Sequence, residues 1–144
     1  MTFRHLSGTV FASPQIGGDE IAAAAAQGIV LVINNRPDGE EPSQPDGYEI
    51  EAAARAAGLD YIAIPVSNGF DEGQVTQMAA ALEQAQGPVL AFCRSGTRST
   101  FLWALASAHR GGDPEAILAA VAAAGYPAET IRPAVERLAA NRAG

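Results

Sequence analysis

The chain contains no lysine. Its nine basic residues are all arginine, set against sixteen acidic ones, for a formal net charge of -7. That balance excludes nucleic acid or an anionic membrane surface as the general partner, and it makes any local pair of arginines an exception that asks for an anion. Cysteine is nearly absent too. Cys93 stands alone, so no internal disulfide can form, and a reducing, cytoplasmic setting is the expected compartment. The two histidines, His5 and His109, have no partner at ligand spacing and no acid–base constellation near them in sequence. Neither a metal nor another cofactor is expected from them. No apolar run approaches the length of a membrane span; the alanines of 22–26 stop at Gln27-Gly28. The opening Met1-Thr2-Phe3-Arg4-His5-Leu6 has neither the long apolar core nor the cleavage site of a secretion signal. Internal repeats and linkers are missing as well, so 1–144 reads as one domain long enough to bury a core.

What is present is concentrated in 87–103. Gly87-Pro88 marks a turn, and Val89-Leu90-Ala91-Phe92 is a short apolar run that ends at Cys93. Arg94-Ser95-Gly96-Thr97-Arg98 is a small polar loop, after which Leu102, Leu105 and Ala106 recur at helical spacing. The pattern predicts a strand, an anion-sized loop and a helix N-terminus, with a thiol at the strand's end. Backbone N–H groups at a helix start, the helix dipole and flanking arginines all favour an ionised sulfur. Gly96 permits the positive φ that a nest of N–H groups requires. Arg98 can close that nest with a two-pronged grip on an oxyanion, and Ser99 can donate to the thiolate or cap the helix. A buried structural cysteine is the alternative, but it has no need of two arginines, a glycine and two hydroxyls beside it.

The remaining chain alternates strands and helices. Strands are expected around 9–12, 29–33 and 61–66, and helices over 20–27, 46–57, 71–84, 99–110, 115–123 and 128–141. This predicts an α/β fold with a parallel-type central sheet flanked by helices, ending in two extra C-terminal helices. Ligands in such sheets sit at the carboxyl ends of the strands. The loops after Ile33, Val66 and Phe92 should therefore share one rim, bringing Arg36, Asp38, Glu40, Asn68 and Asp71 toward Cys93. Asp38 and Glu40 read either as substrate-orienting or proton-shuttling groups, or as loop acids that pair with Arg36. Asp71 reads as a helix N-cap or a general acid. Gln15 reads as a structural bond to the active loop; Phe101 and Trp103 read as core and pocket wall.

With these residues in view, resemblances emerge. A thiolate at a strand end followed by an arginine-bearing loop resembles the protein tyrosine and dual-specificity phosphatases, while the spelling Cys-Arg-Ser-Gly-x-Arg-Ser is similar to that of single-domain rhodaneses. Over nearly its whole length the chain is similar to the phosphatase-like domain found alone or attached to bacterial beta-lactamase-hydrolase-like proteins. Ser13-Pro14-Gln15-Ile16, Ile33-Asn34-Asn35-Arg36-Pro37-Asp38-Gly39-Glu40, Ile64-Pro65-Val66 and Cys93-Arg94-Ser95-Gly96-Thr97-Arg98-Ser99 carry that likeness. The attached hydrolase domain of longer relatives is absent, which implies a possible partner protein that supplies it.

Three departures from the phosphatase pattern bear on mechanism. Arg98 follows Cys93 after four residues instead of five, Phe92 stands where a histidine is usual, and Ser67-Asn68 stands where a general-acid aspartate is expected. A tight loop without an acid suits sulfur transfer, in which Cys93 takes sulfane sulfur as a persulfide and the leaving group needs little protonation. The leading expectation is thus a rhodanese-like sulfurtransferase, with Cys93, Arg98, Ser99 and Asp71 as catalytic candidates. Arg94, Ser95, Gly96, Thr97, Arg36, Asp38 and Asn68 are expected to bind the small anionic substrate: thiosulfate, a persulfide or a phosphate ester. A cysteine phosphatase working through a phosphocysteine is the alternative, and a non-catalytic anion-binding module is a third reading.

Overall fold

The computed structural model describes residues 3–143; Met1 and Thr2 of the N-terminal reading lie outside it. Five short strands form one sheet in the order β1-β2-β5-β3-β4: β1 (Arg4–Ser7), β2 (Val10–Ser13), β3 (Leu31–Asn34), β4 (Asp60–Ala63) and β5 (Val89–Phe92). The helices are α1 (Gly18–Ala26), α2 (Gly47–Ala56), α3 (Glu72–Gln84), α4 (Thr97–His109), α5 (Pro114–Ala123) and α6 (Ala128–Ala143). The fold is the expected mixed α/β arrangement with a helix-flanked central sheet. Its β1 was not expected. That strand pairs antiparallel with β2 at the sheet's edge, whereas β2, β5, β3 and β4 run parallel. Arg4-His5-Leu6-Ser7 buries only Leu6, so its sequence carries no strong two-residue alternation to announce it.

The central strand β5 explains why the sheet needs helices on both sides. Leu90 and Phe92 pack with Val32, Ile21 and Ile50 on the α1–α2 face, and Val89 and Ala91 pack with Ile33, Leu102 and Val135 on the other. Successive side chains of one strand thus enter two separate cores, which requires apolar residues at every position. Each fully buried aliphatic or phenyl side chain here contributes roughly 1.5–3 kcal/mol of transfer free energy. The carboxyl ends of β2, β5 and β3 are flush, with Ser13 and Asn34 both in register with Phe92. The residues that follow them, Pro14-Gln15, Cys93-Arg94 and Asn35-Arg36, therefore emerge side by side.

Candidate active site

Cys93 is completely buried at the point where β5 stops pairing. Its own N–H donates to the Ser13 carbonyl at 3.3 Å, and the preceding Phe92 carbonyl accepts from Asn35 N–H at 2.8 Å. The backbone on either side of the sulfur is thus tied to both neighbouring strands. Gly96 then turns the chain with φ of +93°, a conformation that favours glycine, and serves as the N-cap of α4. In that turn the Gly96 N–H points back at Cys93 Sγ at 3.1 Å, and the Gly96 carbonyl accepts the first helical bond from Thr100 N–H at 3.0 Å. A side chain on Gly96 would also run into the Tyr126 hydroxyl and the Ser13 backbone. The sulfur sits at a helix N-terminus with one backbone donor aimed at it.

Hydrogen bonds with Glu40 hold the Arg98 guanidinium above its ordinary pKa against the cost of burial, with a smaller electrostatic contribution from Cys93. Two groups fix it. Its Nη1 donates to Glu40 Oε2 and to the Val66 carbonyl, both at 2.6 Å, and its Nη2 donates to Glu40 Oε1 at 2.9 Å. This two-pronged ion pair dominates the behaviour of Glu40: the Arg98 hydrogen bonds, joined by Arg36, lower its pKa to about 2. Arg36 is only 4% exposed and every part of its guanidinium is used. Nε donates to Glu40 Oε1 at 2.9 Å, Nη1 to Gln15 Oε1 at 3.0 Å and Nη2 to Glu41 Oε1 at 2.7 Å. Arg94, mostly solvent-exposed, shares Glu41 through Nε at 3.2 Å. Three arginines and two glutamates therefore make one chain of charge-assisted contacts across the rim.

Several expectations change against this geometry. Ser99 neither caps α4 nor donates to the sulfur; its buried hydroxyl donates to Asn35 Oδ1 at 2.8 Å, because Asn35 stands within reach at the end of β3. Asp71 is the N-cap of α3, its Oδ1 accepting from Gln74 N–H at 2.7 Å. Asp38 accepts from Gly47 N–H at 2.8 Å, which pins the start of α2. Arg36 serves as internal framework, paired with Glu40 as the loop-acid reading expected and with Glu41 in addition. Ser95 and Thr97 bond to each other, Oγ to Oγ1 at 3.0 Å, and Asn68 is exposed in the β4–α3 loop. Gln15 makes the expected bond to the active loop through its N–H to the Arg94 carbonyl at 3.2 Å, and its side-chain oxygen accepts from Arg36 in the loop after β3.

Asn35, Glu41 and Tyr126 were not singled out from the sequence. Tyr126, between α5 and α6, donates to the Ser95 carbonyl at 3.4 Å and carries the Arg4 guanidinium 5.3 Å from its ring centre. Burial raises its pKa, with nearby Arg4 opposing. Nothing in Gly125-Tyr126-Pro127 signals a contact with Ser95, 31 residues upstream. Among the described residues no three histidine, cysteine, aspartate or glutamate side chains gather as a metal-ligand set, and no helix is long and apolar enough to cross a membrane.

The chain is similar to known proteins in sequence and fold. Residues 2–110 match the family model described as the phosphatase-like domain of Beta-lactamase hydrolase-like protein. The Beta-lactamase hydrolase-like protein of Agrobacterium fabrum is 40% identical over 104 residues, which is 72% of this chain and 24% of that protein. The chain thus spans about a quarter of the length of the curated relatives it matches. Among solved structures it is similar to a candidate phosphatase from Neisseria meningitidis, with a TM-score of 0.84 and 33% identity over 96% of this chain and 99% of the other. In fold alone it is similar to P. aeruginosa TpbA in complex with phosphotyrosine, with a TM-score of 0.69, 18% identity and coverage of 99% and 91%.

Proposed function

Because the chain belongs to the family of phosphatase-like domains of Beta-lactamase hydrolase-like proteins, we propose that it is a cysteine-based phosphatase that works through a phosphocysteine on Cys93. The observation that carries this reading is the Gly96 N–H held 3.1 Å from Cys93 Sγ at the start of α4, with Arg98 in the first turn of that helix. A thiolate nucleophile and an oxyanion cradle on one loop are the two parts that phosphoryl transfer needs first. Arg98 and the N–H groups of the loop hold the phosphoryl oxygens while Cys93 Sγ attacks phosphorus. The ester oxygen leaves with the bonding electron pair. Water then attacks the phosphocysteine, the S–P bond breaks, and the thiolate returns.

Sulfur transfer, the leading expectation from sequence, takes second place. The likeness to phosphatases supports phosphoryl chemistry, while the shortened loop between Cys93 and Arg98 still favours the sulfur reading. Residues 1–144 act as one such domain in a reducing, cytoplasmic setting. Turnover of an aryl phosphate, blocked by vanadate and lost in Cys93→Ser, is the expected result. Sulfane sulfur transfer from thiosulfate by a protein inert toward aryl phosphates would reverse the order of the two readings.

A further inference from the structure

The acids around Cys93 are all committed elsewhere, and their commitments bear on which substrates the site can serve. The loops that follow β3 and β4 contain five carboxylates: Asp38, Glu40, Glu41, Asp46 and Asp71. Asp46 and Asp71 are the N-cap residues of α2 and α3. Asp38 holds Gly47 N–H. Glu40 spends both oxygens on Arg98 and Arg36, and Glu41 is shared by Arg36 and Arg94. A carboxylate accepting hydrogen bonds from two guanidinium groups keeps its negative charge, and the pKa of about 2 at Glu40 leaves no proton there to give at neutral pH. The loops after β2 and β5 have no carboxylate at all before their helices. Tyr126 packs its hydroxyl directly against Gly96 and donates its proton to the Ser95 carbonyl, where it is committed to holding the loop.

Resting on the phosphatase reading, we infer that the site cleaves phosphate esters and anhydrides whose leaving group departs as a stable anion, such as aryl, enol or acyl phosphates, and does not serve alkyl phosphates of the serine or threonine type. In the first step Cys93 Sγ forms a bond to phosphorus and the P–O bond breaks. The leaving oxygen carries away the electron pair and takes its proton from water only after departure. A positioned acid typically contributes 10²–10⁴-fold, and that factor is largest for basic alkoxides. Without it, the affinity of the leaving oxygen for a proton sets the rate. Phenols, with a pKa of about 10 in tyrosine and lower when nitro-substituted, lie on the favourable side of simple alcohols.

The test is kcat/KM for a series of aryl phosphates running from dinitrophenyl to unsubstituted phenyl, measured on the full chain and on Asp71→Asn and Asp38→Asn. Asparagine keeps the capping hydrogen bond of Asp71 and so preserves α3. The expected result is a steep dependence, approaching a tenfold fall for each unit of leaving-group pKa, with neither variant steeper than the parent. A shallow series that steepens in either variant would identify that aspartate as the acid and overturn this inference while leaving the phosphatase reading intact. Failure to turn over even the dinitrophenyl ester would overturn both.

Discussion

Two loops overlook Cys93, and they are built to different standards. The one after β3 is dense. Arg36 is buried and uses its whole guanidinium, Gln44 Nε2 donates to the Pro37 carbonyl at 2.8 Å, Glu41 N–H donates to Gln44 Oε1 at 3.2 Å, and Asp38 reaches across to Gly47. The one after β4 is spare. Ser67, Asn68 and Gly69 are exposed, and its bonds gather at its two ends: Ile64 and Val66 N–H donate to the Asn34 and Asn35 carbonyls, the Ile64, Pro65 and Val66 carbonyls accept from Asn35, Gln74 and Arg98 side chains, and Asp71 caps α3. The dense loop fixes Arg98, the arginine proposed to meet the anion, through Glu40, and the spare loop is the one in which a tyrosine phosphatase would keep its acid. This contrast describes a site that invests in holding a charge rather than in delivering a proton.

The contrast can be broken most forcefully at its centre. Cys93→Ser should lower aryl phosphate turnover by about 10⁴-fold or more, with tungstate binding retained, because the cradle survives loss of the nucleophile. Arg98→Lys should cost about 10²-fold in kcat/KM, since an ammonium cannot reproduce the paired donors that Arg98 presents. Calorimetry of both variants separates loss of chemistry from loss of fold.

Smaller effects sharpen it. Glu40→Gln should destabilise the protein by about 2 kcal/mol at neutral pH, by removing a charge-assisted partner from Arg98 and from buried Arg36. Glu40 has a depressed pKa in the folded state, so its contribution is present above the ordinary carboxylate value of 4.5 and is lost as pH falls toward about 2. Denaturant titrations of parent and variant should therefore converge across that window. Removing the cap from the spare loop should do less. Asp71→Ala should cost about 1 kcal/mol of stability through the start of α3 and leave kcat/KM for aryl phosphates within about twofold of the parent.

The difference between the loops also explains what the sequence disclosed. The Cys93 loop was legible because its chemistry is contiguous: thiol, glycine, arginine and helix start fall within seven residues, and local physics is enough to join them. The partners of that loop were not. Glu40 meets Arg98 from 58 positions away and Asn35 meets Ser99 from 64, and only the flush ends of β3 and β5 bring them together. Ser99 was assigned to the sulfur or the helix cap because those were its neighbours in sequence; the amide that claims it belongs to another strand. The same holds for the fold. The apolar run of β5 announced a strand, whereas β1 depends on β2 for its definition and says little by itself.

The direct test of the central claim is the intact mass of the protein quenched during turnover of dinitrophenyl phosphate, followed by mapping of any added group. The account predicts one phosphoryl group on Cys93, absent from Cys93→Ser and discharged by water. Turnover with Cys93 left unmodified, or a sulfur atom gained from thiosulfate in place of any phosphoenzyme, would contradict it.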